Sequence, residues 1–340
     1  MALVALASPA GLFTAVMPNE IRHKMINAIL GNFVIEIKYS KFAILYLVIS
    51  IAIATYNGEK YIREQLDSIL AQMENDFEVV ICDDASTDRT LSILKEYEKK
   101  DSRFRIYENE ENLGYRENFN KAVSLCKGDF IAFSDQDDIW LSNHLQALKE
   151  NIGENYVCAG RAQRFFENDA PLNLFQPTNY QAENLNSQIK RLIYQCYAFN
   201  MYQGASQIIS RQAAETYFPI EKNEYAHDWA TATNAIAENK FIYINEIITK
   251  WRKHSTQVTS THHSREVRKN RLREFVKYMF DSNKHLNEEV RAILQKALEF
   301  HSNSSIFYRL RNISHAMKIS KIIYGSCAKQ VLGYLLTASL

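Results

Sequence analysis

The chain has 340 residues, of which 46% are hydrophobic and 23% charged, with a formal net charge of +1. That is material for one large globular domain or two smaller ones, with an ample core. Five cysteines (Cys82, Cys126, Cys158, Cys196, Cys327) without a C-x-x-C pair exclude a disulfide frame or zinc site, and no apolar run reaches the roughly 18 residues of a membrane span.

Residues 1–46 hold small apolar clusters, two prolines and a weakly amphipathic stretch from Ile21 to Ile37. Met1–Met17 lacks the positive flank of a signal peptide, so a cytoplasmic protein is expected. The segment reads either as an extra helix on the domain or as an artefact of start-site choice ahead of Leu47 or Val48, and the second reading is preferred.

From Leu47 the pattern is regular. Leu47–Ala54 predicts a buried strand ending in Thr55-Tyr56-Asn57-Gly58, and Glu59–Gln72 predicts a helix with Tyr61, Ile62, Leu66, Ile69 and Leu70 on one face. Phe77–Cys82 is a second buried strand, ending in Asp83-Asp84-Ala85-Ser86-Thr87-Asp88. Arg89–Lys100 follows as a helix capped by Ser86, Thr87 or Asp88. Arg103–Tyr107 predicts a third strand, then a turn over Asn109–Gly114 and a helix over Tyr115–Cys126. Gly128 opens a fourth strand that runs into Ser134-Asp135-Gln136-Asp137-Asp138-Ile139-Trp140.

Successive βα units predict a parallel sheet with right-handed crossovers. The polar strand ends (Thr55 and Asn57, Asp83 and Asp84, Asn112, Asp135 and Asp137) then share one edge and one crevice. Carboxylates crowded between Asp135 and Asp138 repel one another unless a cation lies between them, and their hard oxygens suit Mg²⁺ or Mn²⁺. The plain alternative is an exposed acidic turn. No G-x-G-x-x-G follows the first strand and no G-x-x-x-x-G-K-[ST] occurs, so neither a dinucleotide-dependent dehydrogenase nor a P-loop enzyme is expected.

Further on, Trp140–Asn151 predicts a helix, and residues 156–220 are less regular apart from strand-like Gln207–Ser210 after Gly204. His227-Asp228-Trp229 precedes a helix over Ala230–Glu238, and a last strand, Phe241–Ile248, leads into Trp251-Arg252-Lys253-His254.

In order, Ser50–Gly58, Asp83–Asp88, Asn112–Gly114 with Asn118–Asn120, and Ser134–Trp140 resemble glycosyltransferase family 2. The Ser-Asp-Gln-Asp-Asp-Ile-Trp wording is most similar to bacterial rhamnosyltransferase-like members that build cell-surface polysaccharide. The resemblance covers about Leu47 to Ser260. It implies an α/β fold of GT-A type, Rossmann-like, with a mostly parallel sheet flanked by helices. It also implies inverting transfer of a sugar, rhamnose first, from a nucleoside-diphosphate donor to a glycan or lipid-linked acceptor, with Mg²⁺ or Mn²⁺. Another hexose, an N-acetylhexosamine or a non-catalytic sugar-nucleotide-binding relic are the alternatives.

Residue by residue, the resemblance places Thr55, Tyr56, Asn57 and Asn112 along the donor, with Asp84 facing a pyrimidine ring. Asp135 would touch ribose or metal, Asp137 would ligate the metal with His254 as a further ligand, and Asp138 would brace the loop. Arg252 or Lys253 would grip phosphate, Gly204 would line the acceptor side, and Asp228 would be the catalytic base. The plain alternatives are helix capping for Asp228, a surface role for His254 and an eased strand bend at Gly204.

The expected division is 1–46, a catalytic domain over 47–260 and a helical tail over 261–340. From Arg265 onward the tail has 14 Lys and Arg against 6 Asp and Glu. Its basic and apolar residues alternate, which suits either an anionic membrane surface or packing on the catalytic domain. No aromatic-and-basic strand platform appears, so nucleic acid is not an expected partner.

Overall fold

The computed structural model describes residues 48–167, 185–198, 200–221, 226–255, 265–282, 286–303 and 305–324, so the N-terminal extension lies outside them. Strands β1 (Ile49–Thr55), β2 (Phe77–Asp83), β3 (Phe104–Glu108), β4 (Phe130–Ser134), β5 (Ile139–Trp140), β6 (Val157–Phe166), β7 (Gln207–Ser210) and β8 (Phe241–Lys253) form one sheet in the order β3-β2-β1-β4-β7-β6-β8-β5. Helices α1 (Ile62–Leu70), α2 (Thr90–Lys100), α3 (Tyr115–Leu125), α4 (His144–Ile152), α5 (Gln188–Tyr197), α6 (Arg211–Tyr217) and α7 (His227–Ala237) alternate with the strands. Four more, α8 (Arg265–Ser282), α9 (Glu288–Ser302), α10 (Ile306–Arg311) and α11 (Ile313–Tyr324), follow β8.

β1 lies inside the sheet and pairs in parallel with β2 and β4, while β2 pairs in parallel with β3. Beyond β4 the sheet is mixed: β7 runs antiparallel to β4 and β6, β6 and β8 are parallel, and β5 closes the edge antiparallel to β8. Strand side chains alternate between faces. Ile49, Ile51 and Ile53 therefore join α1, α2 and α4 on one face, while Ala52 joins α3, α5 and α7 on the other. With helices on both faces, the strand has to be apolar throughout.

The C-terminal helices extend the second of these cores. Phe275, Val276, Met279, Leu294, Phe300, Ala316 and Ile319 lie in the same apolar cluster as Phe119 and Leu192.

Two elements differ from expectation. Trp140 is a strand residue, not a helix start, because its indole N–H donates to Ala205 O at 2.9 Å and its backbone pairs with Thr249. β8 continues through Trp251, Arg252 and Lys253, held in register by the unanticipated β6. That extension carries the end of β8 to the acid cluster: Arg252 N donates to Asp138 Oδ1 at 2.9 Å.

Candidate active site

The ends of β1 and β2 form a hydrogen-bonded rim. Thr55 is buried and its hydroxyl donates to Asp83 Oδ1 at 2.8 Å. Asn57, with φ of +47°, accepts Thr87 N at 2.8 Å and donates its own N–H to Ser86 Oγ at 2.9 Å. Tyr56 is turned outward, 46% exposed, with Asn57 exposed beside it. Its backbone makes a two-way bond with a side chain that sequence reasoning passed over: Tyr56 N donates to Gln136 Oε1 at 2.9 Å, and Gln136 Nε2 donates to Tyr56 O at 3.0 Å. A Cβ at Gly58 would collide with that Gln136 amide. The rim and the acid loop are thus one unit.

Asp84 stands at the end of β2 and is 2% exposed. Its oxygens accept Asn109 Nδ2 at 2.7 Å, Leu113 N at 2.8 Å and Gly114 N at 2.9 Å. Asn112 Nδ2 donates to Asp84 O at 3.3 Å, and Asn112 Oδ1 accepts Gly114 N at 3.1 Å. Both expected donor-binding residues therefore shape the 109–114 loop from within.

Asp135 follows β4. Burial first, then the negative charges of Asp137 and Asp228, push its carboxyl up to about 7, with Lys253 opposing. Asp137 Oδ2 lies 2.9 Å from His254 Nε2, and the His254 ring packs at 4.7 Å on Tyr61. Asp138 turns inward to brace the loop. Its Oδ1 accepts Arg252 N, its Oδ2 is buried with no hydrogen-bond partner among the described residues, and burial beside Asp137 and Asp135 holds the carboxyl well above its ordinary range.

Arg252 has a different place from the one expected of a phosphate-gripping residue. Its guanidinium bonds Glu64 at 2.8 Å, Glu167, and the carbonyl of Asp137 at 2.8 Å. Tyr61 and Phe165 each pack against it at 4.6 Å. These commitments make it a strut between β8 and the acid loop. Lys253 is the neighbouring cation left near the acids: burial, then Arg164, lower its ammonium to about 8, against the pull of Asp138, Asp137 and Asp135.

Asp228 sits in the first turn of α7. Its Oδ2 accepts Gly204 N at 3.0 Å and its Oδ1 accepts Trp229 N at 2.8 Å. Burial pushes the carboxyl up to about 6, the two backbone N–H groups holding it down. Gly204 lies in a 3₁₀ turn before β7, where a Cβ would come within 2.7 Å of His227 Nε2 and 3.2 Å of Asp228 Cβ. His227 is packed against Phe119 (3.9 Å) and Phe133 (4.8 Å), and burial lowers its imidazole to about 3, so it is neutral.

Among the described residues no three His, Cys, Asp or Glu close into a ready metal cage. A Mg²⁺ or Mn²⁺ site need not be one, since such ions are commonly held by one or two carboxylates plus substrate phosphates at about 2.1 Å. Two adjacent ligands of an octahedral ion lie about 3 Å apart at that bond length, and the Asp137–His254 separation of 2.9 Å suits it. The donor set fits a divalent cation of the Mg²⁺ or Mn²⁺ class.

The profile described as Glycosyl transferase family 2 matches residues 50–218. The chain belongs to glycosyltransferase family 2. This glycosyltransferase is 29% identical over 211 residues to an uncharacterized glycosyltransferase of Methanocaldococcus jannaschii, covering 60% of this chain and 70% of that one. It is 40% identical over 116 residues to an Escherichia coli UDP-Glc:alpha-D-GlcNAc-diphosphoundecaprenol beta-1,3-glucosyltransferase, covering 33% of this chain and 45% of that one. The chain therefore spans most of the first relative and less than half of the second.

Among solved structures, the glycosyltransferase resembles S. aureus TarS 1–349 in complex with UDP-GlcNAc, with a TM-score of 0.58 and 23% identity over 85% of this chain and 87% of that one. A mannosyltransferase from Pyrobaculum calidifontis in complex with GDP-Man and Mn²⁺ gives a TM-score of 0.58 and 18% identity over 94% and 86% of the two chains. At these identities the likeness is one of fold, and that fold is GT-A.

Proposed function

We propose that this chain transfers a sugar, with inversion, from a nucleoside-diphosphate donor to a hydroxyl of a cell-surface polysaccharide precursor. The observation that supports the reading is a chain of contacts: Asp137 Oδ2 lies 2.9 Å from His254 Nε2, Trp140 at the end of the same loop donates its indole N–H to Ala205 O at 2.9 Å, and the adjacent Gly204 N donates to Asp228 Oδ2 at 3.0 Å. On this reading, carboxylates from distant stretches address one volume. Asp228, ionised above about pH 6, takes the proton of the acceptor hydroxyl as it attacks the sugar opposite the leaving diphosphate. The exposed ring of Tyr56, next in the chain to Thr55, whose carbonyl accepts Asp84 N at 2.8 Å, offers an apolar face to the base. Asp137 and His254, with Asp135 beside them, would hold Mg²⁺ or Mn²⁺, which when bound stabilises negative charge on the departing diphosphate as a Lewis acid.

Rhamnose is the first candidate sugar, on the wording of Ser134–Trp140. Glucose, N-acetylglucosamine and mannose are the second reading, favoured by the donors named for the relatives and neighbours. A panel of nucleotide sugars tests both: one donor should raise the melting temperature with Mn²⁺ present and then be turned over. Stabilisation without turnover across donors and acceptors would instead support a sugar-nucleotide-binding relic.

A lipid-linked acceptor calls for a membrane surface. No helix among the described residues is long and apolar enough to cross a bilayer. α10 and α11 instead expose Phe307 (79%), Met317 (55%) and Ile313, among exposed Arg311, Lys318 and Lys321. Ala316 and Ile319 face the core. An apolar outer face ringed by cations fits peripheral contact with anionic lipid.

A further inference from the structure

Backbone pairing between β1 and β4 ends at Ile53 and Ser134. Past that point a side chain takes over. Gln136, between Asp135 and Asp137, reaches across to the end of β1 and bonds both backbone polar groups of Tyr56. It accepts from Tyr56 N at 2.9 Å and donates to Tyr56 O at 3.0 Å. A primary amide has an acceptor side and a donor side, so it reproduces the two-way bond of a ladder rung where the strands have parted.

Gly58 leaves the room this clip needs. A Cβ there would collide with Gln136 Oε1 and come within 2.7 Å of Gln136 Cδ. Gly58 does not adopt a positive φ, so its backbone makes no demand for glycine; the demand comes from the Gln136 amide. The rest of the rim is braced from β2: Thr55 O accepts Asp84 N at 2.8 Å, and Asn57 N donates to Ser86 Oγ at 2.9 Å. The acid loop is tied on its other side to β8, where Arg252 Nε donates to Asp137 O at 2.8 Å. Gln136 thus joins two separately anchored pieces. One carries the exposed Tyr56 ring, the other the carboxylates that would hold the cation.

We propose that Gln136 is a positioning residue that sets the distance between the nucleoside seat at Tyr56 and the diphosphate seat at the loop of Asp135 and Asp137. A ligand whose halves are covalently joined gains from both seats only where they stand at its own spacing, because the second contact is then intramolecular. Each half alone can follow a seat that shifts. Loosening the clip therefore penalises the joined donor and spares its parts. The assignment rests on the transferase reading above.

The test is calorimetry on the full chain with uridine, inorganic pyrophosphate and uridine diphosphate, each with Mn²⁺. The parent is compared with Gln136→Ala, which removes the clip, and with Gly58→Ala, which evicts the Gln136 amide while leaving it in the chain. The double variant completes the cycle, and all are checked by thermal melting. Each single variant should bind uridine and pyrophosphate as the parent does and uridine diphosphate about tenfold more weakly. The double variant should be no weaker than either single one, since both changes break the same contact. Three results would overturn the assignment and leave the transferase reading intact. They are uridine diphosphate binding both single variants as it binds the parent, losses that multiply in the double variant, and uridine alone weakening as much as uridine diphosphate. A parent that binds uridine diphosphate no better than uridine would instead sink the transferase reading, and the assignment with it.

Discussion

Asp228 Oδ2 accepts the backbone N–H of Gly204 at 3.0 Å. The bond ties the first turn of α7 to the turn before β7, and it forms only because Gly204 has no side chain: a Cβ there would come within 2.7 Å of His227 Nε2 and 3.2 Å of Asp228 Cβ. The close approach, first to His227 and then to the candidate base, is a packing reason for a glycine here that stands beside the strand-bend reading.

Gly204→Ala should therefore displace Asp228 while leaving the β1–β2 rim untouched. Misplacing a reacting group by about 1 Å costs on the order of 100-fold. We expect kcat to fall by about 10- to 100-fold with donor affinity nearly unchanged, read from steady-state kinetics and donor calorimetry.

The acid side of the pH profile should belong to Asp228. Its carboxyl is pushed up to about 6, and the base acts only when ionised, so the rate should drop about tenfold per pH unit below that value. Stability moves the other way. The folded carboxyl keeps a proton that the unfolded chain releases near the ordinary aspartate value of 3.8, so its contribution to stability declines as pH rises from about 4 to about 6. Asp228→Asn lacks that decline. Its melting temperature, measured relative to the parent's, should climb across the same window.

Much of the fold was legible because β1, β2 and β4 are covered by helices on both faces, and a doubly covered strand must be a continuous apolar run bounded by polar turns. Thr55, Asn57, Asp84, Asp135 and Asp137 could be grouped because parallel strand ends share an edge, whereas Asp228, Arg252 and His254 came in only through the family resemblance. What escaped was set by contacts between distant segments. Trp140 is drawn into a strand by Ala205 and Thr249, and Gln136 acts through the backbone of Tyr56. Trp251–Lys253 read as a motif after the strand because nothing local marks β6 as its partner. Arg252 looked like a phosphate ligand because its carboxylate partners, Glu64 and Glu167, lie far away in sequence.

Arg252→Met should consequently act on stability before chemistry. It strands Glu167, half-buried, and Glu64, more than half exposed, and it frees the carbonyl of Asp137. Removing one partner of a buried pair costs about 3–5 kcal/mol; solvent at Glu64 reduces this to about 2–3 kcal/mol. Denaturant unfolding should show that loss with an unchanged slope.

Membrane contact through α10 and α11 predicts flotation with vesicles containing anionic lipid and none with neutral vesicles. Phe307→Ser combined with Met317→Ser should release the protein, and so should about 0.5 M salt, because lipid attraction of this kind is screened. Both side chains are exposed, so the double variant should melt as the parent does.

The measurement closest to the central claim separates binding from transfer at two carboxylates from distant parts of the chain. Donor affinity, by calorimetry with Mn²⁺, and single-turnover sugar transfer are compared for the parent, Asp137→Asn and Asp228→Asn. Asp137→Asn should lose both, whereas Asp228→Asn should bind donor as the parent does and transfer at least about 100-fold more slowly. Transfer at the parent's rate by either variant would contradict the claim that these acids act on one activated sugar.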